Sequence, residues 1–215
     1  METTRKTMFA YILPFAAWMG LMFVLPPTAL SYAIRSFATL TVGAVCFAMC
    51  RRNKARATSG GRYALPIAAG TLVGIAICAI WIALPAWPFP EPVAPDPSPY
   101  APAVCGWPLT IAKLIGSAFI IAPVEEVFFR SFLYRWLISR NFLSVPLSRF
   151  DLSAFLWMIL LFTLEHDRPV AAAITGAAYG LVAIRFGLGS AIAAHVTTNL
   201  LLGLHVIHHN AWQFW

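Results

Sequence analysis

Charge is scarce along this chain. Only 11% of its 215 residues are Asp, Glu, Lys or Arg, while 60% are hydrophobic. A soluble domain carries about 25% charged residues, so too few remain here to cover a water-facing surface. That excludes an ordinary soluble globule and makes lipid the main solvent. Nucleic acid is excluded as a partner despite a formal charge of +7. The basic residues flank apolar runs; they do not form the stripe that follows a phosphate backbone. Cysteine is sparse too. Cys46, Cys50 and Cys78 lie in apolar runs, where a thiol packs as a small hydrophobe, and with Cys105 they imply no disulfide framework. Cys46 and Cys50 share a helix face, but two thiols do not make a zinc site. No internal repeat, no His-Glu-x-x-His and no Gly-x-Gly-Asp is present, which disfavours transporters built from repeats and two other kinds of intramembrane protease.

Long apolar runs are what the chain has in abundance. A spanning helix needs about 20 apolar residues, and runs of that kind cover roughly 8–25, 31–50, 63–85, 109–138, 152–167, 169–185 and 188–206. The expected fold is all-α, a polytopic transmembrane helical bundle of about seven spans, with some short or broken helices among the last three. The N-terminus has a charged start and an apolar core like a signal peptide. No small-residue cleavage site follows, so a retained first span is expected. Residues 51–62 hold Arg51, Arg52, Lys54, Arg56 and Arg62. Residues 85–108 are Pro-rich, with Glu91 and Asp96 but no Lys or Arg, and their prolines forbid a regular helix. By the positive-inside rule the basic loop, the N-terminus with Arg5 and Lys6, and the Arg135/Arg140/Arg149 region are cytoplasmic, and the Pro-rich loop is outside. An even number of spans should then separate the N-terminus from Arg140. Arg35 and Lys113 are expected to snorkel to the interface. Trp87, Trp107, Trp212 and Trp215 are expected in aromatic belts, and His205, His208 and His209 in an interfacial tail.

The polar exceptions cluster in the second half. Glu125 and Glu126 are adjacent inside an apolar run, with Arg130 one turn beyond. Such residues cost several kcal/mol inside a membrane unless paired or facing water. The i,i+4 spacing lets Glu126 meet Arg130. Glu125 then points about 100° away, unpaired, as a general base for water would. A buried ion pair that merely fixes helix packing accounts for the same residues without catalysis. Pro123 should loosen the helix beside them. Phe162 and His166 lie one turn apart at the end of the fifth run, where Glu165 and Asp167 would mark the membrane boundary. His195 and Asn199 lie one turn apart on the seventh, and a polar contact that glues two helices is the alternative reading there. At about 1.5 Å per residue, Glu125 lies roughly 22 Å, His166 21 Å, His195 11 Å and Asn199 17 Å from the presumed cytoplasmic ends of their helices. The three helices can therefore bring these groups to one depth.

Glu125-Glu126-Val-Phe-Phe-Arg130, then Phe162-x-x-x-His166, then His195-x-x-x-Asn199 resembles the ordered motifs of the CPBP family. That family includes type II CAAX prenyl endopeptidases and the bacteriocin-processing and abortive-infection-type membrane proteins. The resemblance covers roughly residues 109–203, so a division into an N-terminal part, 1–108, and a catalytic core, 109–215, is expected. The Pro-rich loop is reminiscent of CAAX-protease-related proteins that accompany exosortase systems. The resemblance implies an intramembrane endopeptidase: Glu125 activates water with help from His166, His195 and Asn199 stabilise the oxyanion, and Glu126, Arg130 and Phe162 support the site. Membrane proteins or lipidated peptides would be substrates, the lipid bilayer the surroundings, and a bacterial inner membrane with cytoplasmic N-terminus the location. No cofactor is required on this reading. Zinc on Glu125, His166 and His195 remains the metal-dependent alternative. A non-catalytic scaffold or immunity-type factor, and a small transporter, are the alternatives in function.

Overall fold

The computed structural model describes residues 2–51 and 64–215, and these are helical with no strand among them. Helices α1 (Glu2–Val24), α2 (Ala29–Arg51) and α3 (Ala64–Ala83) come from the first half of the chain. A single turn at Pro102–Cys105 closes the Pro-rich segment. Helix α4 (Trp107–Ile138), α5 (Leu152–Thr163), α6 (Pro169–Phe186) and α7 (Leu188–His209) complete the bundle. All but α5 are long and apolar enough to cross a membrane. Their outer faces carry Phe23, Phe37, Leu65 and Leu72, each two-thirds exposed or more. A surface of that kind is stable only in hydrocarbon, so the chain is an integral membrane protein.

The fifth helix is shorter than its apolar run. It begins at Asp151, whose carboxylate accepts from the Ala154 amide at 3.0 Å, and it ends at Thr163 instead of 167. Twelve residues rise about 18 Å, well short of the hydrocarbon thickness of about 30 Å. The residue before a proline avoids the α region, so Arg168-Pro169 forces a break, and residues 164–168 turn the chain into α6. His166 is therefore on a turn, not on the helix.

Helix α7 is the centre of the bundle and packs on α3, α4 and α6. Its closest approach is to α3 at Gly70 and Gly74. A Cβ at either would overlap a backbone carbonyl of α7, at Ser190 and Ala194 respectively. This is the small-residue seam by which membrane helices gain dispersion contact. At the other end of α4, the Tyr134 hydroxyl donates to the Arg149 carbonyl (2.8 Å) and accepts from the Asp151 amide (2.9 Å), tying down the turn before α5.

Among the described residues, four helices long and apolar enough to span precede Arg140, the even number expected. The basic residues 52–62 lie outside the described residues, as do the side chains of Arg5, Lys6 and Arg51. Two cations do not snorkel. Arg35 is buried with its guanidinium 4.9 Å from the Trp18 ring and 5.2 Å from that of Tyr32. Lys113 turns inward, its ammonium 3.7 Å from the Tyr32 ring centre. Cation–π attraction replaces the interface for both, and Lys113 also lines an internal cavity. Trp87 and Trp107 do face outward. Trp212 and Trp215 instead pack on each other at 5.8 Å, and Trp215 reaches Tyr100 in the Pro-rich segment. They close the end of the bundle and form no belt.

Candidate active site

Helix α4 is not uniform. Its α-helical turns widen to π-helix over Gly116–Ile121 and again over Val127–Leu133, leaving Ala122–Glu126 between them. Pro123 has no N–H to give the preceding turn, which accounts for the first widening. Each π turn adds a residue to the ladder and re-aims the side chains around it. The two carboxylates sit in the short α segment between these adjustments.

Glu126 faces wholly inward. Its Oε1 is 3.0 Å from Arg130 Nη1 and 2.9 Å from His195 Nδ1, and its side chain is 0% exposed. An ionised carboxylate only accepts, so His195 Nδ1 is the donor and Nε2 is left facing the cavity. Arg130 is held among rings: its guanidinium carbon lies 4.4 Å from Phe162, 5.7 Å from Tyr179 and 5.8 Å from Phe129. Glu126 thus does more than pair with Arg130. It also fixes the orientation of a histidine three helices on, as a carboxylate partner commonly does for an imidazole.

Glu125 points elsewhere, with 14% of its side chain exposed to the cavity and Oε2 3.7 Å from His195 Nε2. That gap exceeds a hydrogen bond. His195, not His166, is therefore the imidazole in ion-pair range of Glu125. His166 stands on the turn after α5. Its Nδ1 lies 2.8 Å from the Phe162 carbonyl, which can only accept, so Nδ1 donates and Nε2 keeps its lone pair. Burial pushes its pKa down to about 4, so the ring is neutral near pH 7. On Asn199, one amide N–H donates to the Ser117 carbonyl at 3.0 Å, leaving the second hydrogen free.

Glu125, His166, His195 and Asn199 line one cavity of about 170 Å³, with Phe162 forming part of its wall. The described residues contain no group of three His, Cys, Asp or Glu side chains placed to hold a metal ion. Glu125, His166 and His195 share the cavity, with His195 Nε2 3.7 Å from Glu125 Oε2.

Sequence reasoning missed several cavity residues. Trp81, from α3, donates its indole N–H to Thr175 Oγ1 at 2.8 Å and lies 5.7 Å from the His166 ring. Tyr179, fully buried, donates to Thr198 Oγ1 at 2.6 Å, and Thr198 donates in turn to the Gly74 carbonyl at 2.8 Å. Lys113 and Trp215 form the wall next to the Pro-rich segment. A hydroxyl or charge inside an apolar run was the one signal available for Tyr179 and Lys113. Outside the membrane helices, Glu91 of the Pro-rich segment pairs with Arg168, which also donates to the Leu84 carbonyl at 2.8 Å. Glu165 is half-buried on the same turn, and burial pushes its pKa up to about 8.

An all-helical membrane protein with carboxylates, imidazoles and an amide around one internal cavity has the equipment of a buried hydrolytic centre. Residues 107–201 match the family model described as type II CAAX prenyl endopeptidase Rce1-like. The match supports membership of the CPBP family for this segment of the chain, and the Rce1-like family is one of CAAX-type proteases. The matched residues include all three motifs and stop short of nearly all of the Pro-rich loop, on which the likeness to exosortase-associated proteins rests. No curated protein and no solved structure matches the chain.

Proposed function

We propose that this chain is an intramembrane endopeptidase in which Glu125 activates water for direct attack on a peptide bond. The observation that carries the reading is the meeting of Glu125, His166, His195 and Asn199 at one cavity from three separate parts of the chain. A water held by Glu125 gives up its proton to that carboxylate and adds to the carbonyl carbon. His166, a lining residue whose Nε2 keeps its lone pair, orients the water. The oxyanion accepts the free N–H of Asn199 and is stabilised beside it by His195. Donors fixed in advance in a low-dielectric site stabilise developing charge most. Glu125 then returns the proton to the leaving amine, giving a carboxylic acid and an amine. Glu126 and Arg130 are positioning residues that hold His195, and no metal takes part.

On this reading residues 109–215 are the catalytic core, and residues 1–108 supply helices and a Pro-rich segment that wall it. The substrate is a membrane protein or lipidated peptide, reached from the bilayer. The N-terminus is cytoplasmic in a bacterial inner membrane, a placement supported by the basic residues around 5–6 and 51–62.

The test is reconstitution of the purified protein with membrane peptides, comparing wild type with Glu125→Gln and His166→Ala. Removing a general base costs about 10²–10⁴ in rate, and exhaustive chelation is expected to change nothing. Cleavage unaffected by both substitutions contradicts the assignment; loss of cleavage on chelation, restored by zinc, contradicts its metal-free form.

A further inference from the structure

We propose that Arg168 is a positioning residue: gripped by Glu91 of the Pro-rich segment, it holds in place the turn that carries His166. The role assigned to His166 rests on the proteolytic reading above. Residues 164–168 are not helical, and a short connection keeps one shape only where something ties it down. The first half is tied to the end of α5, where the Leu164 and His166 amides donate to the Leu160 and Thr163 carbonyls at 3.1 Å each. The second half is tied by the Arg168 side chain, two residues past His166. Arg168 is only 4% exposed. Its guanidinium pairs with Glu91, donates to the Leu84 carbonyl after α3 at 2.8 Å, and lies 4.4 Å from the Phe214 ring. Glu91 is fixed in its turn, because its Oε1 accepts from the Ala86 amide at 2.8 Å. The end of α3, the Pro-rich segment, the C-terminal tail and the His166 turn therefore meet at one guanidinium.

This junction borders the site. A second cavity, of about 230 Å³, is lined by residues 92–95, residues 165–168 and the tail from Trp212 to Trp215. It shares Trp81, His166, Phe214 and Trp215 with the catalytic cavity. Arg168 lines the second cavity and not the first, so it acts through His166 and does not touch the substrate. What it protects is a tautomer. The His166 Nδ1–H is directed at the Phe162 carbonyl, and that bond keeps the Nε2 lone pair free for water. A ring swung away from that carbonyl loses the constraint and takes up both tautomers, as imidazole does in water. Glu91 precedes the family-matched residues 107–201, so a segment outside the motifs sets the working form of a residue inside them. An ion pair that merely fastens the loop would leave that imidazole unchanged when broken.

The test is nitrogen NMR of the full chain in detergent, labelled with [¹⁵N]histidine. His166 is identified by the signals that His166→Ala removes, and cleavage of a membrane peptide is followed in parallel. Wild type should show the Nδ1–H form. Glu91→Gln is isosteric at a half-exposed loop position and should fold. It should move His166 toward a mixture of tautomers and lower kcat roughly ten- to a hundredfold with KM unchanged, the signature of lost positioning. Asp96→Asn removes an exposed carboxylate from the same segment and should change neither readout. Arg168→Gln should act like Glu91→Gln, the double variant should be no worse than Arg168→Gln alone, and Arg168→Lys should recover part of the loss. His166 signals identical in wild type and Glu91→Gln overturn the assignment, whatever happens to kcat. An equal response to Asp96→Asn, or losses that add in the double variant, overturns it too. A tautomer shift in both latch variants of a protein that cleaves nothing supports the latch and counts against proteolysis alone.

Discussion

Glu126 and Arg130 should behave as one unit whose loss is felt in the fold before it is felt in chemistry. Their side chains are 0% and 1% exposed, and they meet at 3.0 Å. Glu126→Gln leaves the guanidinium buried without a counter-charge, and removing one partner of such a pair costs about 3–5 kcal/mol. The rings of Phe162, Tyr179 and Phe129 around Arg130 soften this, since cation–π contact returns up to about 2 kcal/mol in a desolvated site. A net loss of roughly 3 kcal/mol lowers the melting temperature of a chain this size by about 6–12 °C. The double replacement Glu126→Gln with Arg130→Met removes both charges and should recover most of the loss, because replacing a whole buried pair is often neutral. Glu125→Gln, facing the cavity, should melt within about 1 kcal/mol of wild type, as substitutions outside the packed core commonly do. The eight tryptophans allow the unfolding to be followed by intrinsic fluorescence in detergent. Single and double variants that add independently would refute the coupling. A Glu126→Gln protein as stable as wild type would refute the structural role altogether.

Two further outcomes follow from packing and burial. Gly74→Ala places a methyl group against the Ala194 carbonyl and should push α3 from α7. Overpacking of this kind costs about 1–3 kcal/mol, and a melting curve indistinguishable from wild type would show that the seam is loose. Glu165 titrates near 8 because burial disfavours its charged form. The folded protein therefore keeps that proton while the unfolded chain has lost it, and stability should fall as pH rises from about 4.5 to about 8. Glu165→Gln should flatten the decline in that window, as read from melting temperatures against pH; an unchanged slope would place the effect elsewhere.

The parts of this architecture that depend on one helix at a time were legible in the sequence. The Glu126–Arg130 pair follows from i,i+4 spacing, and the inward face of α7 from His195 and Asn199 one turn apart. The Phe162–His166 contact was anticipated for the wrong reason. The two touch because the imidazole caps the carbonyl at the end of a shortened helix, not because they share a helix face. What was not legible depends on distant segments meeting. Lys113 reads as a snorkelling cation until Tyr32, Tyr100 and Trp215 are brought around it from three other segments. His195 displaced His166 as the imidazole nearest Glu125 because the π turns of α4 re-aim its carboxylates, and local spacing carries no sign of that.

The most direct measurement of the central claim is a single turnover in H₂¹⁸O, with excess wild-type protein and the new C-terminal carboxyl of the product weighed by mass spectrometry. Direct attack by water held on Glu125 predicts one ¹⁸O atom per product in the first turnover and no product from Glu125→Gln on that timescale. A first-turnover product that carries only ¹⁶O, its oxygen taken from a protein side chain, or normal cleavage by Glu125→Gln, would contradict it.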